Sequence, residues 1–380
     1  MRLSILQNKL KQGLSCVERI TIKSSTLPIL NNVLLTANTN FLKLSATNLE
    51  LGIHYWILSK VEEPGQIPVP ANIFSSFINY LPSTSLNLKT EKNNLLFEYG
   101  NTKSRIQGHN AEDFPIIPEI EKQEKVSIKS FPLCEGLSKI INISSFSSIR
   151  PEISGIYFHF QKDLLTIAAT DSFRLGEKKI FFKKPINITK EYSFILPQKA
   201  VAFLISVFEN KETDLIIYFS QNLIMFESLM EETDHPKIQF ISKLIEGEYP
   251  KYEEIIPKSY KIEAIINRKE FLTQVKTAGL FAGRINEMKV GFYPKDQKIE
   301  ISCKDPDLGE HLSGIQAKIK GEETMISFNY KFLLDGLQSL KSDEIIFALS
   351  KERSGEEGPG ILRPIGDETY LYVVMPIQAS

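Results

Sequence analysis

A short pattern recurs three times along this chain of 380 residues. Leu42-Lys-Leu-Ser-Ala-Thr-Asn48-Leu-Glu-Leu-Gly52 alternates apolar and polar residues and ends in a polar turn. Leu165-Thr-Ile-Ala-Ala-Thr-Asp171-Ser-Phe-Arg-Leu-Gly176 and Ile299-Glu-Ile-Ser-Cys-Lys-Asp305-Pro-Asp-Leu-Gly309 do the same. The turn positions 48, 171 and 305 are 123 and 134 residues apart. A second marker, a short apolar strand running into an amphipathic helix, begins near Ile67, Phe194 and Ile326. Its anchors Pro70, Pro197 and Asn329 step by 127 and 132. Proline suits a strand-to-helix junction, where a missing N–H costs nothing and φ is preset. Two markers with one spacing imply three homologous domains, and a repeat of this kind fixes the architecture.

Period-two segments such as Leu86–Lys89, Leu95–Tyr99, Asp214–Phe219 and Glu344–Leu349 read as strands. Apolar residues at helical spacing predict first helices over Asn8–Thr21 (Leu10, Leu14, Val17), Leu133–Ser144 (Leu137, Ile140, Ile141) and Lys269–Phe281 (Leu272, Val275, Gly279). The fold class is therefore α+β, with helices on one side of antiparallel sheets. The repeat divides the chain into domains at 1–122, 123–253 and 254–380. Linkers are expected near Glu119–Lys129 and Pro250–Tyr260, and an exposed loop over Lys351–Gly360.

Apolar residues make up 42% of the chain and charged residues 24%, which excludes a largely disordered protein. Lys and Arg total 45 against 46 Asp and Glu. A net charge of −1 argues against holding nucleic acid by bulk electrostatics, though not against a local basic surface. The three cysteines, Cys16, Cys134 and Cys303, form no CxxC pair or Cys/His cluster, so neither a disulfide framework nor a metal site is expected. The longest apolar run, Ala200 to Phe208, is less than half of a membrane span. With no charged-then-apolar N-terminal signal, a cytoplasmic location is expected.

Catalytic signatures are missing as well. Gly100-Asn-Thr-Lys-Ser104 lacks the spacing of a phosphate-binding loop, and no GxSxG or HExxH occurs. His54, His109, His159, His235 and His311 stand singly. Thr47-Asn48 and Thr170-Asp171 read as Asx residues closing turns. No catalytic residue and no cofactor is expected. More informative are basic residues at comparable places in successive domains: Lys11 and Arg19 on the first helix, Lys23 and Arg150 just beyond helix ends, and Lys199 opening the helix with core residues Val201, Leu204, Ile205 and Phe208. Singly, each also fits a solvated surface.

Ser25-Thr-Leu-Pro-Ile-Leu30, Ala46-Thr-Asn-Leu-Glu-Leu51, Ala111-Glu-Asp-Phe-Pro115, Ala169-Thr-Asp-Ser-Phe-Arg-Leu175, Ser242-Lys-Leu-Ile-Glu-Gly-Glu-Tyr-Pro250, Ser327-Phe-Asn-Tyr-Lys-Phe-Leu-Leu-Asp335 and Tyr372-Val-Val-Met-Pro376 follow one another in order. Together, and nearly end to end, they resemble the bacterial DNA polymerase III β subunits, the replicative sliding clamps. The resemblance implies a head-to-tail homodimer whose six clamp-type domains close into a ring, helices inside and sheets outside, around double-stranded DNA. It implies a non-catalytic processivity factor for a DNA-directed polymerase. Topological holding needs only mild, sequence-independent phosphate contacts, for which Lys11, Arg19, Lys23, Arg150 and Lys199 are the candidates.

The resemblance also implies a hydrophobic cleft between the second and third domains that takes short linear motifs of the replicative polymerase, clamp loader and repair proteins. Its lining would be Ile153, Thr170, Ser172, Phe173, Arg174, Leu175, Pro250, Ile255, Asn329, Phe332, Val373, Val374, Met375, Pro376 and Ile377. Val373 and Met375 read equally as core strand residues. Ser172-Phe173 stands where the family usually has Gly-His, Glu254 where Arg is common, and the tail Ile377-Gln-Ala-Ser380 lacks the basic residue and Leu. For the subunit interface, Leu280 and Phe281 would meet the edge strand around Ile106 of the other chain. The rival readings are a monomeric structural or ligand-binding protein and an enzyme with a site assembled across domain junctions.

Overall fold

The computed structural model describes residues 1–21, 26–100, 102–121, 124–144, 147, 149–350 and 358–377. The repeat is a strand–helix–three-strand unit that occurs twice in each third of the chain. In the first third the units are β1 (Arg2–Leu6), α1 (Gln7–Val17), β2 (Asn32–Asn38), β3 (Phe41–Thr47) and β4 (Leu51–Leu58) with a short β5 (Lys60–Glu63), then β6 (Gly65–Pro70), α2 (Ala71–Tyr80), β7 (Ser85–Glu91), β8 (Asn94–Tyr99) and β9 (Thr102–Gln107). The middle third has β10 (Lys125–Lys129), α3 (Ser130–Ile140), β11 (Gly155–Phe160), β12 (Leu164–Thr170) and β13 (Arg174–Phe181), then β14 (Tyr192–Pro197), α4 (Gln198–Phe208), β15 (Asp214–Phe219), β16 (Leu223–Leu229) and β17 (Pro236–Lys243). The last third has β18 (Tyr260–Asn267), α5 (Arg268–Gly279), β19 (Glu287–Tyr293), β20 (Lys298–Asp305) and β21 (Gly309–Gly321), then β22 (Thr324–Asn329), α6 (Tyr330–Ser339), β23 (Glu344–Ser350), β24 (Gly360–Pro364) and β25 (Tyr370–Val374). The two sequence markers are thus the two halves of each domain: the turn pattern closes the β3–β4, β12–β13 and β20–β21 hairpins, and the proline or Asn329 precedes α2, α4 and α6.

The helices form where apolar spacing predicts, but they stop sooner. Leu10, Leu14 and Val17 are fully buried, as are Leu133, Leu137 and Ile140. Beyond Val17, Ile140 and Gly279 the chain tightens into turns with three-residue bonds such as Ile20 N–H to Val17 O and Phe281 N–H to Ala278 O. In α5 Val275 is buried as predicted, but Phe271 and Ala278 take the flanking core positions expected for Leu272 and Gly279, and Leu272 is only half-buried. Phe271 takes the core position because its ring packs 5.8 Å from Phe347, which also meets Phe292 and Phe328. Pro70 is tolerated at the end of β6 because β6 is an edge strand, paired only with β2.

Two expected connections are corrected. The Glu119–Lys129 segment is not all linker, since Lys125–Lys129 pairs with β15 and buries Val126 and Ile128. Of Lys351–Gly360, residues 351–357 lie outside the described residues, while Gly358 is buried and Gly360 opens β24. The Pro250–Tyr260 segment does connect strands but is anchored, with Tyr252 only 2% exposed.

The chain packs as two compact units, residues 1–134, 186–188 and 199–244 in one and 135–185, 189–198 and 245–380 in the other. The first holds a five-stranded sheet (β5-β1-β7-β8-β9) and an eight-stranded one (β10-β15-β16-β17-β4-β3-β2-β6); the second holds a twelve-stranded sheet (β14-β11-β12-β13-β25-β24-β23-β18-β21-β20-β19-β22). The large sheets arise where domains join edge to edge. In the first unit β4 pairs antiparallel with β17; in the second β13 pairs antiparallel with β25. Each join links the last strand of one domain's first half to the last strand of the next domain's second half.

Candidate peptide cleft and basic helix faces

The candidate cleft residues gather at the β12–β13 turn of the second unit. Asp171 Oδ1 accepts from the N–H groups of Phe173 and Arg174, each at 3.0 Å, and the Thr170 hydroxyl donates to Arg174 O at 2.7 Å. Ser172 is thereby held at φ 77°, in the left-handed region where its side chain is disfavoured. The Thr47-Asn48 turn has the same bonds, with Leu49 at φ 73°. Both are Asx turns, as the residue types predict.

Arg174 is committed at this turn. Its Nε donates to Asp171 Oδ2 at 3.0 Å, Nη2 to Asn142 O at 3.0 Å and Nη1 to Asp335, while the guanidinium lies 4.7 Å from the Phe332 ring centroid. With its donors taken, it works as a wall that ties the turn to α6 and not as a free cation awaiting a ligand. Phe173, 62% exposed, stacks on Phe332 at 6.2 Å. Met375 N–H donates to Phe173 O and Ile377 N–H to Ser327 O, both at 2.8 Å. The segment after β25 is thus strapped between the turn and β22, which leaves Met375 and Ile377 half-buried. Asn329 caps α6 by accepting from Lys331 N–H at 3.0 Å.

The predicted lining divides into two kinds of residue. Phe173 meets Phe332 by its ring and Met375 by a backbone bond, Ile377 bonds to Ser327 of β22, and Phe173 and Ile255 (43% exposed) carry the exposed apolar surface. Leu175, Val373, Val374, Ile153, Thr170 and Pro376 are buried, and Val373 follows its reading as a core strand residue. Leu175 and Val373 instead form a core with Ala168, Tyr252 and Ile361, against which Tyr157, Tyr249 and Ile256 pack. Pro250 is half-buried and Ser172 exposed. Sequence reasoning missed the tyrosines. Tyr157 and Tyr249 stack at 4.9 Å, and the Tyr252 hydroxyl donates to Glu177 Oε2 at 2.9 Å. Burial, reinforced by Glu177, raises the Tyr252 hydroxyl far above its ordinary range, so it stays a proton donor. The -Tyr-Pro-Lys-Tyr- spacing at 249–252 was the available signal.

Of the basic candidates, Lys11 and Arg19 (α1 and the turn after it) and Lys199 (α4) are exposed in the first unit, Arg19 Nε donating to Ser15 O. Lys23 lies outside the described residues. Arg150 belongs to the second unit, where it pairs with Glu152 at 3.1 Å and donates to Ser172 Oγ at 3.2 Å, against the cleft turn. At the proposed subunit interface Leu280 is 72% exposed, and Phe281 stacks on His311 at 5.7 Å. Ile106 is 7% exposed, so it belongs to its own domain's core, and what β9 leaves open is its backbone edge. No group of metal-ligating side chains, and no helix long and apolar enough to cross a membrane, occurs among the described residues.

Known proteins share this arrangement. Residues 1–118, 135–251 and 253–378 match the N-terminal, central and C-terminal domain profiles of the DNA polymerase III beta subunit. The chain is 27% identical over 390 residues to the beta sliding clamp of Bacillus subtilis, covering all of both proteins, and 28% identical over 384 residues to that of Synechococcus elongatus, covering 100% of this chain and 99% of that one. The crystal structure of the Bacillus subtilis clamp superposes with a TM-score of 0.90 at 25% identity over the whole of both chains. A Pseudomonas aeruginosa clamp bound to griselimycin gives 0.90 at 22% identity, again over both whole chains. Three clamp domains in tandem, matched along nearly the full length, place this chain in the DNA polymerase III beta subunit family, the sliding clamps that serve DNA replication as non-catalytic processivity factors.

Proposed function

We propose that two copies of this chain join head to tail into a ring that encircles double-stranded DNA and tethers its polymerase. The observation that carries this reading is a pair of strand edges. Two joins of the same kind, β4 to β17 and β13 to β25, use one end of each domain. The ends left over are β9, paired only with β8, and the Gly309–Gln316 half of β21, paired only with β20. An open strand edge recruits a partner strand, and a ring removes both edges at once. The exposed Leu280 beside Phe281 supplies apolar surface for the same junction.

Closure by topology asks little of electrostatics, in keeping with a net charge of −1. Lys11, Arg19 and Lys199, with Lys23 and Arg150, are the residues assigned to sequence-independent phosphate contact. The domain division 1–122, 123–253 and 254–380 and a cytoplasmic location belong to the same reading. Around Phe173, Phe332, Met375, Ile377 and Ile255 an extended motif with apolar anchors, carried by the polymerase, clamp loader or repair proteins, finds apolar contact, with Asn329 to orient it.

Light scattering at micromolar concentration tests the ring. A mass of about 86 kDa, twice the chain mass of 43.2 kDa, is expected, with retention on circular but not linear DNA. A stable single-chain mass overturns it and favours a monomeric binding protein.

A further inference from the structure

Two buried polar atoms on β21, His311 Nε2 and Ser313 Oγ, have no hydrogen-bond partner among the described residues. Buried polar atoms are rarely left unpaired, and each such case calls for a missing partner. His311 and Ser313 share the face of β21 that carries Ile315, which is 2% exposed, and both lie in the half whose second edge is open.

The internal joins say what belongs there. Counted two residues back from each turn, Ala46 pairs with Ile53, Ala169 with Gly176 and Cys303 with His311. At the joins Ile53 faces Phe240 and Gly176 faces Tyr372. In the second half of each domain, Phe240 lies opposite Phe226 and Tyr372 opposite Leu362. The same place in the first domain is held by Ser104, opposite Phe97, since Asn93-Asn-Leu-Leu-Phe-Glu98 matches Asn222-Leu-Ile-Met-Phe-Glu227, in which Phe226 lies opposite Phe240. The next pairs along the same faces are Tyr55 with Ile238 and Lys178 with Tyr370, which correspond to Ser313 and Thr102. On the other side, Leu51 with Ser242 and Arg174 with Val374 correspond to Gly309 and Ile106.

We infer that, in the subunit junction, His311 faces Ser104 and Ser313 faces Thr102 of the second copy, so that two hydroxyls complete the two unpaired atoms and fix the strand register. This rests on the head-to-tail reading above. Opposed side chains across antiparallel strands lie about 4.5–5.5 Å apart at Cβ, within reach of a hydroxyl bond. Gly309 then receives Ile106 where its missing side chain leaves room beside Phe281, 3.9 Å away. A slip of two residues would set Ile106 on His311 and leave Ser313 against Ser104 alone. Where the subunit junction has hydroxyls and imidazole, the first internal join has Ile53–Phe240 and Tyr55–Ile238 and the second Gly176–Tyr372 and Lys178–Tyr370.

Sedimentation equilibrium on the full chain, comparing Ser313→Ala, Thr102→Val and both together, tests this. Losing one such bond weakens association about fivefold at each of two junctions, about 25-fold in all. The double variant is expected to match the single ones, since both remove one bond, and the thermal midpoint of the dissociated chain is expected not to fall. As a register test, oxidised Ser104→Cys with His311→Cys should give a covalent dimer, and Ser104→Cys with Ser313→Cys should not. Unchanged or strictly additive dissociation constants, or crosslinking only in the second pair, overturn the inference while a dimeric wild-type chain keeps the ring. A wild-type chain that stays monomeric at 100-fold higher concentration ends both.

Discussion

The Arg174 guanidinium lies over the Phe332 ring at 4.7 Å while its nitrogens are held by Asp171, Asp335 and the Asn142 carbonyl. One side chain thus joins α3's exit, the β12–β13 turn and α6, and the cleft wall depends on it. Its side chain is only 10% exposed. Removing one member of a buried, hydrogen-bonded ion pair costs about 3–5 kcal/mol. Arg174→Met is expected to lower the folding stability by that order, and the unfolding midpoint with it, and Arg174→Lys to rescue only part of it because an ammonium cannot make the forked contacts. Calorimetric melting checks both; a midpoint unchanged in Arg174→Met would show that the network contributes nothing.

Phe332→Ala and Met375→Ala address the cleft itself. Both side chains are partly exposed, so folding should survive, whereas a bound motif loses an apolar anchor. Each is expected to weaken binding of a Gln-Leu-x-Leu-Phe-type peptide by at least tenfold, the scale of about 1.5–3 kcal/mol for one buried apolar side chain. Fluorescence anisotropy with a labelled peptide measures this. Undiminished binding in both variants would place the site elsewhere.

His54 makes the first unit sensitive to acid. Burial, helped by nearby Lys43, lowers its imidazole to about 4, and Ser45 Oγ bonds Nδ1 at 2.8 Å. Because the folded value lies below the unfolded one of about 6.5, the unfolded chain binds the extra proton. Stability from this group is complete above about pH 6.5 and is lost as pH falls toward 4, by about 3 kcal/mol. His54→Gln should flatten the midpoint-against-pH curve in that window. Parallel curves for the two proteins would rule His54 out.

The cysteines should be silent in the native protein. Burial pushes the thiols of Cys16 and Cys134 up to about 12 and Cys303 to about 11. A thiolate is the reactive form, so labelling by a thiol reagent at pH 8 is expected only at the rate of unfolding. Rapid modification of the folded chain, followed by mass spectrometry, would show that one of these sites opens on its own.

Salt should tell surface contacts from topology. Lys11→Glu with Lys199→Glu is expected to flatten the salt dependence of DNA association and slow loading, while DNA already encircled stays bound at high salt. Filter binding on nicked circular DNA across a salt series distinguishes these, and an unaltered slope would remove both lysines from the DNA face.

Repetition was legible in the sequence because identical local physics recurs. Alternation sets strand faces, an Asx residue closes each turn, and a proline or Asn precedes each second helix. Hence Leu10, Leu14, Val17, Leu133 and Leu137 were identified as core and are buried. Helix ends were less legible, since the turns after Val17, Ile140 and Gly279 keep helical spacing while the bonding tightens. In α5 Phe271 took the core position expected for Leu272 because it had a cluster of rings to join. Periodicity also cannot say which side of an edge strand will be covered. Leu175 was assigned to the cleft lining and Val373 to lining or core, and the pairing of β13 with β25 put both in a core with Tyr252. Arg174 stood in the sequence as one lining residue of a motif, and only the fold brought Asp335, 161 residues away, to its guanidinium. Local sequence determined the repeating unit. Long-range strand pairing decided which of its edges are closed, and so which side chains remain to meet a partner.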